Sequence, residues 1–198
     1  NGSAKNTAER YDPTNNTWET IASLSVERWG VASAVLNGNL YAIGGKNSSS
    51  IYSSVETYRT TSNGWVNGPS LPTPVRHSIA ITVNEKIYLV GGMKSGQNTN
   101  QVLCFDPSTN QWTVKANMPT ARHAKTLVWF ENQIWAIGGH TGTGSNKAES
   151  YDPTTNSWQT ETSLTTARYY PVAWVANGRI YVGGGSDGSS FLNSIEFY

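Results

Sequence analysis

Short apolar runs alternate with polar turn clusters along the whole chain, and nowhere do apolar positions recur at helical spacing. The stretch from Gly30 to Val66 shows the unit. Residues 31–36 are small and apolar, which suits a strand buried on both faces. Asn37-Gly38 is a hairpin turn, because both residues tolerate positive φ. Residues 40–43 form a second strand, ended by Gly44-Gly45, where a side chain would obstruct close backbone approach. After a Ser/Asn loop, residues 55–58 make a third strand. The next turn is clearest in the sister copies Asp12-Pro13, Asp106-Pro107 and Asp152-Pro153, where Pro presets φ and Asp bonds forward. Trp65 opens a short fourth strand.

This unit repeats. Tyr11, Tyr58, Phe105, Tyr151 and Tyr198 lie 47, 47, 46 and 47 residues apart, and Trp18, Trp65, Trp112 and Trp158 each follow one of the first four by seven. Gly-Gly pairs stand at Gly44, Gly91, Gly138 and Gly184, each preceded at three residues by Tyr41, Tyr88, Trp135 or Tyr181. Arg28, Arg76, Arg122 and Arg168 lie 12 or 13 residues before those aromatics. A four-stranded antiparallel meander repeated at about this period is the signature of a β-propeller blade. One such sheet cannot bury both faces alone, so neighbours stack and the periodic Tyr and Trp fill the space between them.

The order Arg, strand, Gly-Gly, Glu-x-Tyr-Asp-Pro, Asn-x-Trp resembles the kelch repeats. It is carried by Glu9-Arg10-Tyr11-Asp12-Pro13 with Asn16 and Trp18, and by Glu149-Ser150-Tyr151-Asp152-Pro153 with Asn156 and Trp158. The second copy has Arg59-Thr60 for Asp-Pro, the third has Cys104 at the place of Glu9, Glu56, Glu149 and Glu196, and the fourth adds Gly183. The resemblance implies an all-β kelch-type β-propeller of four repeats, with strands A to D from the inside outward. The expected layout is a single domain over 1–198, with periods near 11–57, 58–104, 105–150 and 151–197. The chain opens on a C and a D strand and closes on A, B and C, so the N- and C-terminal strands are expected to share a blade. Counting strands gives four A, four B, four D and five C, one C strand too many for simple closure. Two forms follow: a closed four-bladed ring, or an open arc completed by other copies or by a longer parent chain. Open arcs leave apolar faces and sheet edges exposed, which favours the second form. The start at Asn1 without Met reads as a processed product or an excised segment.

Composition narrows the function. Over 198 residues, charged side chains are 14% and the net charge is +1, so no strong field calls for nucleic acid or a membrane surface. Aromatics at 11%, eight of them Trp, argue against disorder. The lone Cys104 excludes an intrachain disulfide framework and a Cys-rich zinc site. No apolar run approaches a membrane span. Low charge with abundant Ser, Thr and Asn leans toward an extracellular or cell-surface setting, with a cytoplasmic adaptor as the alternative.

Strand alternation sends the D-to-A and B-to-C loops to one face and the A-to-B and C-to-D turns to the other. The first face carries the four arginines and the variable loops 46–53, 93–100, 140–147 and 186–192, where binding residues concentrate. Candidate contacts are Arg28, Arg76, Arg122 and Arg168, the residues after them (Trp29, His77, His123 and Tyr169), and Lys46 and His140 at loop starts. Guanidinium groups at a channel mouth grip carboxylates bidentately. The kelch resemblance implies the same, since arginines at this position of kelch adaptor domains contact acidic peptides. The competing reading pairs these arginines with the periodic glutamates. His77, His123 and His140 share the face, but no carboxylate stands at ligand spacing, so no metal and no cofactor is expected. A copper-radical oxidase centre would need a Tyr–Cys cross-link beyond the reach of a lone strand Cys. No catalytic triad, phosphate loop or zinc motif is present. The sequence therefore points to a non-enzymatic binding scaffold for a protein or acidic peptide, with a glycan-binding or sialic-acid-type sugar-processing propeller as the alternative.

Overall fold

The computed structural model describes residues 3–198. Within them the chain is all-β, and no helix is long and apolar enough to cross a membrane. An N-terminal sheet pairs β1 (Ala8–Asp12) with β2 (Thr17–Ile21). Blade 1 comprises β3 (Ala32–Leu36), β4 (Asn39–Ile43), β5 (Val55–Arg59) and β6 (Gly64–Asn67). Blade 2 comprises β7 (Ile79–Val83), β8 (Lys86–Lys94), β9 (Gln97–Asp106) and β10 (Gln111–Lys115). Blade 3 comprises β11 (Thr126–Phe130), β12 (Gln133–Ile137), β13 (Ala148–Asp152) and β14 (Ser157–Thr160). Blade 4 has β15 (Val172–Ala176), β16 (Arg179–Gly183) and β17 (Ile195–Phe197). Every pairing is between chain neighbours and antiparallel. Periodic Asn residues with positive φ (Asn16, Asn63, Asn110 and Asn156) make the C-to-D turns.

The core lies between blades. Ile43 and Val55 of blade 1 meet Ile87, Leu89 and Phe105 of blade 2. Val90 and Val102 meet Ile134 and Tyr151 across the next junction, and Ile137 and Ala148 meet Ile180 and Val182 across the third. The periodic Trp is a polar tie as well as packing volume. Trp65, Trp112 and Trp158 donate through Nε1 to the carbonyls of Ala22, Pro69 and Ala116, in the linker that leaves the preceding sheet, at 2.7, 2.9 and 2.9 Å. A buried indole N–H requires such an acceptor.

The sheets form an open arc. The inner strands β3, β7, β11 and β15 lie side by side in that order. Among the described residues, β1–β2 share no ladder with β15–β17, so the joining of terminal strands in one blade is not formed within this chain. The inner edge of β2 is already taken by β1, and a blade has room for one C strand. The open faces expose Tyr11 and Trp18 at one end and Val172, Trp174, Ile195 and Phe197 at the other. The loop expected at 93–100 is instead a hairpin that prolongs β8 and β9. Ser95 and Gly96, at φ +50° and +84°, supply its two-residue turn, and a bulge at Val90/Gly92 re-aims it.

The glycine pairs are where blades touch most closely. Gly138 has φ +68°, and a Cβ there would lie 2.7 Å from the Arg168 carbonyl of the next blade. Gly38, in an open hairpin turn at φ +73°, has no heavy atom within 4 Å of such a Cβ. Gly38→Ala is expected to cost only the left-handed penalty, about 1–2 kcal/mol. Gly138→Ala must add a backbone displacement between blades, giving a clearly larger loss in urea unfolding. Equal losses would contradict this packing.

Candidate functional site

Three of the four periodic arginines are buried and internally paired. Arg28 donates to Glu56 Oε1 at 2.5 Å and to the Gly44 carbonyl at 2.9 Å. Arg168 donates to Glu196 Oε1 at 2.7 Å and to the Gly184 carbonyl at 3.0 Å. Arg122, fully buried, holds Glu149 through Nη1 and donates to the Gly138 and Ala136 carbonyls, each at 2.8 Å. The expectation that Arg28, Arg122 and Arg168 face a ligand gives way to the pairing reading. Their guanidinium groups point into the blade and saturate carboxylates and glycine-corner carbonyls.

Blade 2 departs from this pattern in two registers. The bridges Trp29–Lys46, Arg76–Met93, His123–His140 and Tyr169–Ser186 show that Arg76 matches Trp29, His123 and Tyr169. Val75, buried, takes the place of the paired arginines. Val75 keeps the spacing of the paired arginines, 10 residues after Trp65 and 13 before Tyr88, so Arg76 falls one position later, out of the blade and on the rim. The β8–β9 register pairs Leu89 with Leu103, as Ala42 pairs with Glu56 and Ala136 with Glu149. Leu103, not Cys104, therefore holds the glutamate position, while Cys104 matches Thr57 and Ser150. Val75, Leu89 and Leu103 pack in one apolar cluster. The Gly91 carbonyl, left without an arginine, accepts instead from Ser78 Oγ at 2.6 Å. Burial raises the Cys104 thiol above its usual range, which leaves it an inert core group.

On the rim the side chains form one continuous band. Ring centroids run Trp29–His77 at 5.2 Å, His77–His123 at 5.6 Å, His123–His140 at 5.0 Å and His140–Tyr169 at 5.4 Å. Lys46 Nζ and Arg76 Cζ lie 5.1 and 5.4 Å from the Trp29 ring centre. All seven residues are half-buried. Among the described residues, neither Lys46 nor Arg76 forms an ion pair, and Arg76 Nε is buried without a hydrogen-bond partner. The structure thus brings Trp29, Lys46, Arg76, His77, His123, His140 and Tyr169 together and removes Arg28, Arg122 and Arg168 from the set.

The sequence reading missed Asn98, which the prolonged hairpin places over the rim. Its Nδ2 donates to the His140 carbonyl at 2.9 Å, so its Oδ1 receives His123 Nδ1–H at 2.6 Å. His140 Nδ1 accepts from the Gly142 amide at 3.2 Å. Burial lowers the His123 pKa to about 4, helped by His140, His77, Arg76 and Lys125. The same cause, with Arg76 and Lys46, lowers that of His77. These rings are neutral at pH 7, and the fixed positive charge of the rim lies on Arg76 and Lys46. Among the described residues, no three His, Cys, Asp or Glu side chains converge on a metal position. Behind the rim, Lys125 is buried and donates to the Val90 carbonyl at 2.7 Å; desolvation, with Arg122 adding and Glu149 opposing, brings its pKa to about 7.

Comparisons with known proteins agree with this architecture. A family model described as the Attractin/LZTR1 β-propeller matches residues 1–195. An F-box/kelch-repeat protein of Arabidopsis thaliana is 42% identical over 53 residues, which are 27% of this chain and 14% of that protein. The match therefore spans a small part of that relative. Among solved structures, that of YjhT superposes with a TM-score of 0.77 at 19% identity, over 92% of this chain and 73% of that one. At that identity the likeness is one of fold.

Two outcomes check the site. Arg122→Glu places like charges together in a dry interior and is expected to cost at least about 3 kcal/mol in urea unfolding. Arg76→Glu on the rim should stay within about 0.5 kcal/mol. Equal losses would restore Arg122 to the ligand set. In proton NMR titration, the His123 ring should titrate near pH 4 rather than 6.5. A folded pKa below the unfolded one means that the unfolded chain binds more protons between those values. The His123 contribution to stability is therefore present above pH 6.5 and lost as the pH falls toward 4. An unshifted His123 would show that the rim is fully hydrated.

Proposed function

Because this chain belongs to the Attractin/LZTR1 β-propeller family, of kelch type, we propose that it is a binding scaffold whose rim grips an acidic peptide segment of a protein partner. The observation that carries this reading is the cation pair on Trp29. Lys46 and Arg76 flank one indole, and among the described residues neither meets a carboxylate. A guanidinium held against an aromatic face, with no protein carboxylate on it, is preorganised for a bidentate ligand carboxylate. The ring band from His77 to Tyr169 continues the surface and supplies flat contact area to the neighbouring peptide residues. Asn98 holds the His123 imidazole and the His140 backbone from above. The neutral rings of His77 and His123 add no charge beside the two cations, so binding should weaken as salt rises.

The experiment is a panel of Asp/Glu-rich and neutral peptides titrated against the protein, followed by Trp fluorescence and calorimetry. Acidic peptides are expected to bind and to quench Trp29. Arg76→Glu should weaken them by at least ten-fold with the urea midpoint unchanged, and Arg122→Met should act only through stability. Binding that is indifferent to peptide charge, or to Arg76→Glu, overturns the reading. Retention on a glycan array with no peptide binding would replace it by the carbohydrate one.

A further inference from the structure

We propose a second binding site, independent of the rim: a cleft between blades 1 and 2 that takes a monosaccharide carboxylate, a sugar ring bearing one acid group. It opens on the opposite face, among the A-to-B and C-to-D turns. It encloses about 340 Å³ and is lined by Asn39, Tyr41, Thr57, Arg59, Asn67 and Asn110.

Three substitutions open this cleft, and each is visible against blade 3. There, Asn156 Oδ1 accepts from Tyr151 Oη at 2.8 Å and from the Ala116 amide at 2.9 Å. In blade 2 the counterpart of Asn156 is Asn110, but Phe105 has no hydroxyl and Pro69 has no N–H. Both donors are gone together, and the Asn110 side chain makes no hydrogen bond among the described residues while lining the cleft. The third change is Gly68. In blade 3 the matching residue is Glu161, whose carboxylate accepts from Ser150 Oγ at 2.6 Å. Thr57 matches Ser150, and Gly68 leaves the Thr57 hydroxyl without that carboxylate.

Charge then selects the ligand. Arg59 stands where Asp12, Asp106 and Asp152 accept their own turn amides at 2.8, 2.9 and 2.7 Å. Among the described residues it makes no ion pair, and no acidic side chain lines the cleft. A cation has replaced an anion at the cleft mouth, and Gly68, where the other sheets have Ile21, Lys115 and Glu161, leaves the floor without a side chain. A ligand carboxylate fits both changes. The remaining wall of amides and hydroxyls both donates and accepts, which suits a ring of hydroxyl groups. Tyr41 and Phe105, with centroids 5.6 Å apart, close the cleft at the edge of the core and give its wall an apolar side.

The test is calorimetric titration of the 198-residue chain with glucuronate, glucose and acetate. Glucuronate is expected to bind at least ten-fold more tightly than either glucose or acetate. Gly68→Glu, which restores the carboxylate of blade 3, and Arg59→Asp, which restores the usual turn residue, should each weaken glucuronate by at least ten-fold with native circular dichroism. No heat with glucuronate at millimolar concentration overturns the proposal. So does acetate matching glucuronate, which would mark an anion site alone, or an affinity unmoved by both variants.

Discussion

The buried arginine–glutamate pair decides how this protein is built and what it has left to offer a partner. Each glutamate serves two blades. Glu56, Glu149 and Glu196 hold the arginine of their own sheet and also accept from the linker of the preceding one, through Ser25 N, Thr120 Oγ1 and Thr165 N at 2.7, 2.6 and 2.6 Å. Each arginine in turn donates to a carbonyl of the glycine corner, and for Arg28 and Arg122 that corner, Gly44 or Gly138, is where the next blade comes close. A charge pair removed from water is a weak net stabiliser, yet losing one member strands the other at a cost of about 3–5 kcal/mol. The pair therefore acts as a registry device: strand, glycine corner and neighbouring linker are satisfied together or not at all.

Blade 2 solves the same spatial problem without charge. Val75, Leu89 and Leu103 fill the volume of arginine, alanine and glutamate, and Ser78 takes over the glycine carbonyl. Complete replacement of a buried pair by apolar groups is tolerated where partial replacement is not. The exchange also has a functional consequence. With valine at the inward position, the arginine of this linker stands at the next one, on the rim, against Trp29 and opposite Met93. The blade whose arginine–glutamate pair is replaced by apolar groups is the one that places a guanidinium without a carboxylate partner on the rim.

Much of this was legible in the residues themselves. The period, the four strands of each unit, the five C strands and the face of the variable loops all follow from spacing, because blade packing requires an aromatic and a glycine pair at fixed intervals. The Arg76 shift was written there too, as 12 residues to Tyr88 where the other arginines stand 13 from their aromatics. Likewise, counting two residues back from Phe105 gives Leu103 rather than Cys104. What spacing cannot convey is direction. Arg122 and Arg76 look alike in a repeat, and only the structure separates a guanidinium closed on Glu149 from one that lies half-buried against Trp29 without a carboxylate. The Asn98 contacts depend on a two-residue turn that converts a polar loop into a hairpin. The open arc agrees with the strand count: β1 holds the edge of β2 that β17 would need for a shared blade.

The most direct measurement transplants the apolar solution from blade 2 into blade 3. Arg122→Val, Lys125→Ser, Ala136→Leu and Glu149→Leu are combined in one chain, and its urea unfolding is compared with that of Glu149→Leu alone. If the pair and the apolar set are alternative fillings of one site, the single change costs about 3–5 kcal/mol and the combination recovers most of it. A combined variant as unstable as the single one, or a single change without effect, would contradict the claim that these arginines belong to the core and not to a ligand.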